Sequence, residues 1–270
     1  MRALDRWGQE LRDWALPAEI LEAAPESPYG FDASLFRSRA ERSVAREPNP
    51  TTQRALETLP DGGSVLDVGV GGGATSLPLA VRAGTIIGVD GQADMLGEFS
   101  EAARRAGVAS RAMQGAWPAV APEAPAADVV VCGHVLYNVQ ELEPFARALT
   151  AHARTRVVAE ITEAHPWSWM GFLYERFHGL SRPDGPTADL AREALTELGF
   201  DVGMEASESP PPGGFETRDA AIALVRRRLC LPAERDGEIA VALGDLLAEH
   251  DGLWSAGPDH GRTLTLWWSP

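Results

Sequence analysis

Short apolar strands alternate with amphipathic helices between residues 64 and 162, and this alternation restricts the fold more than any other feature. Most of the strands are unbroken apolar runs, which is typical of parallel strands buried on both faces of a sheet. Strands are predicted at residues 64–68, 85–90, 108–114, 128–135 and 156–162. Helices are predicted at residues 74–83, 93–107 and 141–153. The order of elements therefore predicts a doubly wound α/β fold.

The flanking segments add further helices to this unit. Residues 1–60 are predicted to form an N-terminal helical cap before an α/β domain of residues 61–270. The cap is predicted to contain helices at 33–46 and 51–59, after a first helix whose apolar face carries Leu4, Trp7, Leu11 and Trp14. Later predicted elements are helices at 186–200, 217–231 and 237–250 and strands at 200–208 and 262–269. We expect a helical insertion at about 215–250 and a final strand added as an antiparallel edge.

The charge balance argues against a nucleic-acid partner. The chain has 24 basic and 39 acidic residues, a formal net charge of −15, whereas proteins that bind nucleic acids usually present a basic face. All 24 basic residues are arginine, so the lysine that Schiff-base enzymes, pyridoxal-phosphate enzymes and P-loop proteins need is absent from the sequence.

A metal site, a disulfide bond and a membrane-spanning helix are not expected either. Cys132 and Cys230 belong to no CxxC pair, and the six histidines lack the spacing typical of a metal site. No apolar run approaches the ~20 residues of a membrane-spanning helix. The amino terminus is charged and has no signal-peptide core. We therefore expect a cytoplasmic protein without a bound metal or a membrane partner.

The sequence VLDVGVGGG at residues 65–73 joins the first predicted strand to the next helix. Gly69, Gly71 and Gly73 allow a tight turn in which a ligand lies against the main chain. Asp90 ends the second strand, 17 positions after Gly73, where a carboxylate can accept hydrogen bonds from both hydroxyls of a ribose. Together these residues predict an adenosine-containing ligand.

Asp67 helps to decide between two classes of adenosine-containing ligand. Gly69, Gly71 and Ala74 fit the G-x-G-x-x-G/A fingerprint of dinucleotide-binding proteins. A carboxylate two residues before the first glycine, however, disfavours a pyrophosphate and suits a ligand that carries an ammonium and a sulfonium group. The alternative is a structural one, in which Asp67 caps a nearby loop.

The sequence DVGVGGG, followed by GVD at residues 88–90, resembles motif I and the second-strand acid of class I S-adenosylmethionine-dependent methyltransferases. Their pattern is D/E-x-G-x-G-x-G, and the resemblance extends over about residues 55–165. It implies a seven-stranded, mostly parallel, Rossmann-like sheet with an antiparallel last strand, and S-adenosylmethionine as cofactor. The residues that it implies for cofactor binding are Asp67, Gly69, Val70, Gly71, Gly73, Asp90, Gly91, Met95, Gly115, Ala116, Trp117, Gly133 and His134.

The chain departs from the family pattern after the third strand. Many members carry an aspartate there that binds the adenine amino group, whereas this chain has Gly115, Ala116 and Trp117. The resemblance then implies that backbone N–H groups and Trp117 hold the adenine, with Met95 packed on it.

His134 ends the fourth strand, beside the methyl group that the resemblance implies, and is the candidate general base. Its alternative role is to order the loop or to contact the cofactor carboxylate. The residues expected to line a substrate pocket are Tyr29, Phe31, Phe36, Tyr137, Asn138, Glu160 and His165. The alternative for the amino-terminal aromatic residues is that they only pack against the domain. The alternative for Glu160 is an exposed loop acid without a role in the pocket, and for His165 a histidine that only begins a helix.

The absence of three family motifs limits the classes of molecule that could accept the methyl group. The N/D-P-P-Y motif of amino-methylating nucleic-acid enzymes, the Pro-Cys pair of pyrimidine-C5 enzymes and the Asp-Asn pair of metal-assisted catechol enzymes do not occur. The resemblance thus implies metal-independent methyl transfer to a small molecule. A protein side chain as acceptor, a non-catalytic S-adenosylmethionine-binding or partner module, and an NAD(P)-dependent oxidoreductase are the alternatives. The choice between monomer and homodimer stays open.

Overall fold

A seven-stranded sheet lies at the centre of the computed structural model, which describes residues 1–29, 40, 42–44, 46–209, 214–258 and 261–270. The strands are β1 (Gly63–Val68), β2 (Ala83–Asp90), β3 (Ala109–Gln114), β4 (Ala127–Gly133), β5 (Ala153–Thr162), β6 (Gly203–Ser209), β7 (Leu247–His250), β8 (Leu253–Ala256) and β9 (Gly261–Trp268). β7 and β8 form a separate hairpin. The predicted helix at 33–46 lies mostly outside the described residues.

The order of the strands across the sheet is β3-β2-β1-β4-β5-β9-β6. β1 to β5 are parallel, and β9 runs antiparallel to both of its neighbours. The prediction of a doubly wound, mostly parallel sheet with a reversed last strand is confirmed. The expected edge position of that strand is wrong, because β9 lies between β5 and β6. Its threonines and its apolar residues are buried alike, as an interior strand requires.

Helices cover both faces of the sheet. They are α1 (Ala3–Arg12), α2 (Ala18–Ala23), α3 (Pro50–Leu56), α4 (Ala93–Arg105), α5 (Leu142–His152), α6 (Gly171–His178), α7 (Ala188–Glu197), α8 (Arg218–Arg228) and α9 (Asp236–Leu243). Leu66 of β1 belongs to the core beneath α1, α5 and α7, whereas Val65 belongs to the opposite core beneath α3 and α4. Successive residues of a strand thus point into two different cores, one on each face of the sheet. This explains why the apolar runs are unbroken. Within the described residues, no helix is long and apolar enough to cross a membrane.

The helix predicted at 74–83 is a turn followed by a short 3₁₀ helix, Leu77–Val81. Pro78 lacks the backbone N–H that a longer α-helix would need at this position. The amide of Leu79 instead donates to the carbonyl of Ser76, three residues back. β1 is therefore connected to β2 by an unusually short crossover.

The helix predicted at 237–250 is also wrong in its second half. α9 ends at Leu243, and the following residues lead into the β7–β8 hairpin. Gly244 leaves the helical region, with φ 52° and ψ −126°. Asp251 and Gly252, with φ 51° and 77°, form the tight connection of the hairpin. An Asp-Gly pair is a recognised hairpin signal, and here it outweighs the helical periodicity.

Candidate active site

The predicted site residues lie at the carboxyl edge of the sheet, where the parallel strands end. Asp67 is near the end of β1 and pairs with Gly88 of β2. Asp90 ends β2, and Gly133 ends β4 beside Glu160 of β5. Ligands of open α/β sheets bind outside this edge. Residues far apart in the sequence therefore meet where a ligand is expected.

The glycine-rich loop leaves β1 in a conformation that requires glycine. The φ angles are 76° at Gly69, 49° at Gly71 and 90° at Gly73. The amides of Gly69 and Val70 both donate to the carbonyl of Val89, at 2.8 and 3.0 Å. A Cβ atom on Gly69 would lie 2.2 Å from Cγ2 of Val135. The loop thus turns sharply and passes close to the residues that follow β4.

Asp90 holds this loop from the neighbouring strand. Its Oδ2 accepts a hydrogen bond from the amide of Gly71 at 3.0 Å, and its Oδ1 accepts one from the amide of Gln92 at 2.9 Å. Asp90 is partly exposed and the following Gly91 is fully so. Each carboxylate oxygen has further lone pairs, so Asp90 can still accept hydrogen bonds from ligand hydroxyls.

Asp67 is 1% exposed, and neither of its carboxylate oxygens has a hydrogen-bond partner among the described residues. Burial is the main reason that the pKa of Asp67 rises from 3.8 to about 7. The nearby charge of Asp90 raises it further, and Ser76 acts in the opposite direction. An unpartnered buried carboxylate is costly unless a donor or a positive charge meets it. The site therefore fits a ligand that brings a cationic amino group to Asp67.

The residues after β3 form the next part of the edge. The amide of Gly115 donates to the carbonyl of Asp90 at 2.9 Å, and a Cβ atom here would lie 2.8 Å from Cβ of Val120. Ala116 is exposed, whereas Met95 on α4 is buried. Gly115 thus allows the loop after β3 to approach Val120 closely.

Trp117 faces α5. Its indole N–H donates to the carbonyl of Phe145 at 3.4 Å, and its ring meets His152 edge-on with the centroids 5.0 Å apart. The polar atom of Trp117 is therefore used within the protein, so adenine recognition by this residue would have to use the ring itself. The predicted contact between Trp117 and adenine stays a prediction.

His134 follows β4 in the left-handed region, with φ 58°. Its Nε2 lies 3.0 Å from Oε1 of Glu160, and its Nδ1 lies 3.0 Å from the hydroxyl of Tyr137. The Tyr137 oxygen also accepts a hydrogen bond from the amide of Thr162 at 2.6 Å. Its own proton therefore goes to Nδ1 of His134, which places the proton of the neutral imidazole on Nε2, facing Glu160.

Glu160 is held on both of its oxygens. Besides His134 on Oε1, its Oε2 accepts hydrogen bonds from the Thr51 hydroxyl at 2.5 Å and from the Asn49 amide at 2.9 Å. Thr51 is in turn 2.7 Å from the hydroxyl of Thr265 on β9. Burial alone would raise the pKa of Glu160, but these hydrogen bonds and the charge interaction with His134 outweigh it and lower the pKa. Glu160 is therefore an ionised carboxylate.

His165 and Tyr137 extend the site away from His134. The His165 ring stacks on Trp14 with the centroids 3.8 Å apart, and it meets Tyr137 edge-on at 6.0 Å. Burial, together with the charge of Arg182, lowers the pKa of His165 to about 3, so this histidine is neutral. Burial raises the pKa of Tyr137.

The remaining substrate-pocket predictions differ in their placement. Asn138 is exposed at the end of a 3₁₀ helix, Leu136–Asn138. Tyr29 is 60% exposed and lies near Arg182 and Tyr174, to which it is electrostatically coupled. Phe31 and Phe36 lie outside the described residues. Of the seven predicted pocket residues, the structure thus brings Tyr137, Glu160 and His165 to one continuous network.

A family model described as a methyltransferase domain matches residues 65–156. This range contains the glycine-rich loop, Asp90 and the segment after β4. This part of the chain is therefore similar to a methyltransferase domain. No curated protein sequence matches it.

Several solved structures share the fold of this chain. The YcgJ protein from Bacillus subtilis is 16% identical, with a TM-score of 0.54 over 85% of this chain and 98% of that one. Magnesium protoporphyrin IX methyltransferase from Synechocystis PCC 6803, solved with bound S-adenosylhomocysteine, is 16% identical, with a TM-score of 0.51 over 98% and 93%. A cyclopropane-fatty-acyl-phospholipid synthase-like protein from Lactobacillus casei ATCC 334 is 15% identical, with a TM-score of 0.51 over 97% and 99%. At these identities the likeness shows the methyltransferase fold alone.

Several residues of the methyltransferase site escaped prediction from sequence. Asn49, Thr51 and Thr265, which hold Glu160, come from α3 and β9 and carry no local motif. Trp14 was expected on an apolar helix face, yet it stacks on His165. Asn49 did carry a readable signal, since it caps α3 through the amide of Thr52 before a proline at the first helical position.

Proposed function

We propose that this chain transfers the methyl group of S-adenosylmethionine to a small-molecule acceptor. The observation that carries the proposal is Asp67, a buried carboxylate without a partner among the described residues, beside a loop of left-handed glycines. A donor with an ammonium and a sulfonium group would supply the missing positive charge. A pyrophosphate would instead face a negative charge, which counts against a nicotinamide dinucleotide.

Each part of the carboxyl edge would hold one part of this donor. Asp67 and the loop of Gly69, Val70, Gly71 and Gly73 would bind the methionine moiety. Asp90 and Gly91 would receive the ribose hydroxyls, and Met95 with the segment of Gly115, Ala116 and Trp117 would contact the adenine. Gly133 and His134 would face the methyl group. When bound, the donor supplies a methyl group on a positively charged sulfur, which a lone pair of the acceptor attacks in line.

The network around His134 would hold the proton that an acceptor hydroxyl or amine loses. For Nδ1 to receive this proton, the Tyr137 hydroxyl would have to turn its own proton away from the imidazole. Nδ1–H would then donate to the Tyr137 oxygen, while Nε2–H keeps donating to Glu160. The imidazolium would then be paired with an ionised carboxylate at 3.0 Å. The side chain of His134 is 44% exposed, which leaves it accessible to an acceptor. Glu160 would act as a positioning residue, because its own oxygens are fully engaged.

The test is a calorimetric titration of the whole chain with S-adenosylhomocysteine, with NADH as the comparison ligand. We expect saturable binding of S-adenosylhomocysteine that falls by at least tenfold in Asp67→Asn, as loss of one charge-assisted contact predicts. Asp201→Asn, a change at an exposed loop position, is the matched control and should bind as the unaltered chain does. Preference for NADH, or equal affinity in Asp67→Asn, would contradict the proposal.

A further inference from the structure

A guanidinium group lies at the end of the site opposite the glycine-rich loop. Arg182 packs against two aromatic rings, with its Cζ 4.6 Å from the ring centroid of Trp14 and 5.0 Å from that of Tyr174. Its terminal nitrogens donate to the carbonyls of Trp14 and Ala15. Its Nε is buried and has no hydrogen-bond partner among the described residues. The planar fork is thus fixed in place by two hydrogen bonds, while the second N–H of each terminal nitrogen has no partner among these contacts.

The charge of Arg182 is also without a counter-ion in the described part of the chain. Ion pairs join Arg54, Arg156 and Arg226 to carboxylates, whereas Arg182 contacts only carbonyl oxygens and rings. Burial lowers the pKa of Arg182, which shows that its environment disfavours the positive charge. A carboxylate on a ligand would supply the counter-ion that the described residues do not give Arg182.

Contacts between rings connect Arg182 to the proposed methyl-transfer position. Arg182 lies over Trp14, Trp14 stacks on His165, His165 meets Tyr137 edge-on, and Tyr137 shares its hydroxyl with His134. The backbone agrees, because the amide of His165 donates to the carbonyl of Asp184, two residues after Arg182. Aromatic and imidazole rings therefore form one wall, with a proton-accepting group at one end and a cation at the other.

We propose that the methyl acceptor is a carboxylate-bearing molecule with an aromatic or apolar body, and that Arg182 binds its carboxylate. This inference rests on the proposed methyl transfer at His134. The carboxylate would be an anchor rather than the methylated group, because Trp14, His165 and Tyr137 separate Arg182 from His134. Arginine suits this role, since its planar fork matches the two oxygens of a carboxylate.

The proposal is tested with three pairs of probes of increasing length, each an acid and its neutral amide: 4-hydroxybenzoate, 4-hydroxyphenylacetate and 4-hydroxycinnamate. Binding to the whole chain, saturated with S-adenosylhomocysteine, is measured by saturation-transfer NMR titration. We expect at least one acid to bind about tenfold more tightly than its amide, as a charge-assisted pair predicts. The preference should disappear in Arg182→Gln, be partly kept in Arg182→Lys and persist in Arg192→Gln, which changes an exposed arginine.

The outcomes separate the two proposals. A chain that does not bind S-adenosylhomocysteine refutes the proposed function, whatever the probes do. A chain that binds S-adenosylhomocysteine but prefers no acid over its amide refutes the role of Arg182 alone. An acid preference that survives in Arg182→Gln also refutes it. Affinity for S-adenosylhomocysteine and the thermal unfolding midpoint of each variant report whether the variant is folded.

Discussion

The two halves of the candidate site hold ionisable groups of opposite sign, a buried Asp67 and a partly buried Arg182. In the donor half, formed by the ends of β1, β2 and β4, Asp67 is a carboxylate without a partner among the described residues. In the acceptor half, beyond the end of β5, Arg182 is a cation without a counter-ion there. The first half suits a positively charged ligand and the second a negatively charged one. Under the proposed function, electrostatics would therefore distinguish the methyl donor from its acceptor.

The halves also differ in how the sequence encodes them. The donor half comes from one run of nine residues, 65–73, with Asp90 on the next strand. The acceptor half is assembled from α1, α3, β5, the segment after β5 and β9, so that residues as distant as Asn49, Glu160 and Thr265 meet. A local motif can be read from one sequence, whereas an assembled network depends on the sheet order.

The largest effect is expected from Asp67→Asn. A pKa raised from 3.8 to about 7 means that folding costs on the order of 4 kcal/mol at pH 7 and above, where the carboxylate must be buried ionised. Between about pH 4 and 7 the folded chain holds a proton that the unfolded chain has released, so stability falls as pH rises. Asp67→Asn should therefore be more stable than the unaltered chain at pH 8, and the two should converge at pH 4 in urea titrations.

Asp67→Asn also tests whether Asp67 contacts a positively charged group of the ligand. A cationic ligand binds the ionised form of Asp67, so affinity for S-adenosylhomocysteine should rise as pH increases through about 7. In Asp67→Asn the affinity should be lower and should not change over this range. Affinity independent of pH in the unaltered chain would show that Asp67 does not meet the ligand's charge.

The next largest effect is expected from Gly69→Ala. An alanine in the left-handed region costs roughly 1 kcal/mol, and the clash with Val135 adds about 2 kcal/mol. Gly107→Ala is the matched control, since Gly107 has φ 71° and no atom within 4 Å of the added Cβ. Urea unfolding should therefore show a loss of about 3 kcal/mol at Gly69 and about 1 kcal/mol at Gly107. Equal losses would mean that the loop can move away from Val135.

Glu160→Gln should lower stability by about 2 kcal/mol at pH 7, because an ionised carboxylate that accepts hydrogen bonds from His134, Thr51 and Asn49 loses its charge. The pKa of Glu160 is lowered in the folded state, so its contribution is present above its ordinary pKa and is lost as pH falls through the folded value. The difference in unfolding free energy between Glu160→Gln and the unaltered chain should vanish in acid. At neutral pH this difference is a loss of stability, whereas Asp67→Asn gains stability. Urea titrations at pH 3 and 7 measure it, with Glu163→Gln, an exposed acid, as control.

Tyr137→Phe should have the smallest effect, a loss of about 1 kcal/mol, since the Thr162 amide keeps its position but loses its acceptor. The more specific readout is long-range ¹H–¹⁵N NMR of the imidazole. We expect the unaltered chain to show neutral His134 protonated on Nε2, and Tyr137→Phe to show a mixture of both tautomers. A proton on Nδ1 in the unaltered chain would reverse the direction of the proposed network.

Sequence patterns predicted the positions of the sheet strands along the chain well, because apolar runs and their turns are set by local chemistry. They failed where two local signals competed, as at residues 237–250, where the Asp251-Gly252 turn outweighed a helical period. They also failed to place β9, since strand order depends on which edge of β5 remains open. The residues proposed to bind the donor were inferred from the glycine motif, and their role stays a prediction. The partners of Glu160 and the position of Arg182 could not be predicted, because only the folded sheet brings them together.

The position of β9 has a consequence for synthesis on the ribosome. Every other strand of the sheet precedes it in the chain, yet it must enter between β5 and β6, which have no contact to form with each other. A nascent chain therefore carries two unpaired strand borders until residues 261–268 have emerged from the exit tunnel. Thr265 arrives with β9, so Glu160 gains its last support only then. The acceptor half would thus be completed after translation of the donor half, which leaves a time window in which chaperones would be expected to cover the open sheet.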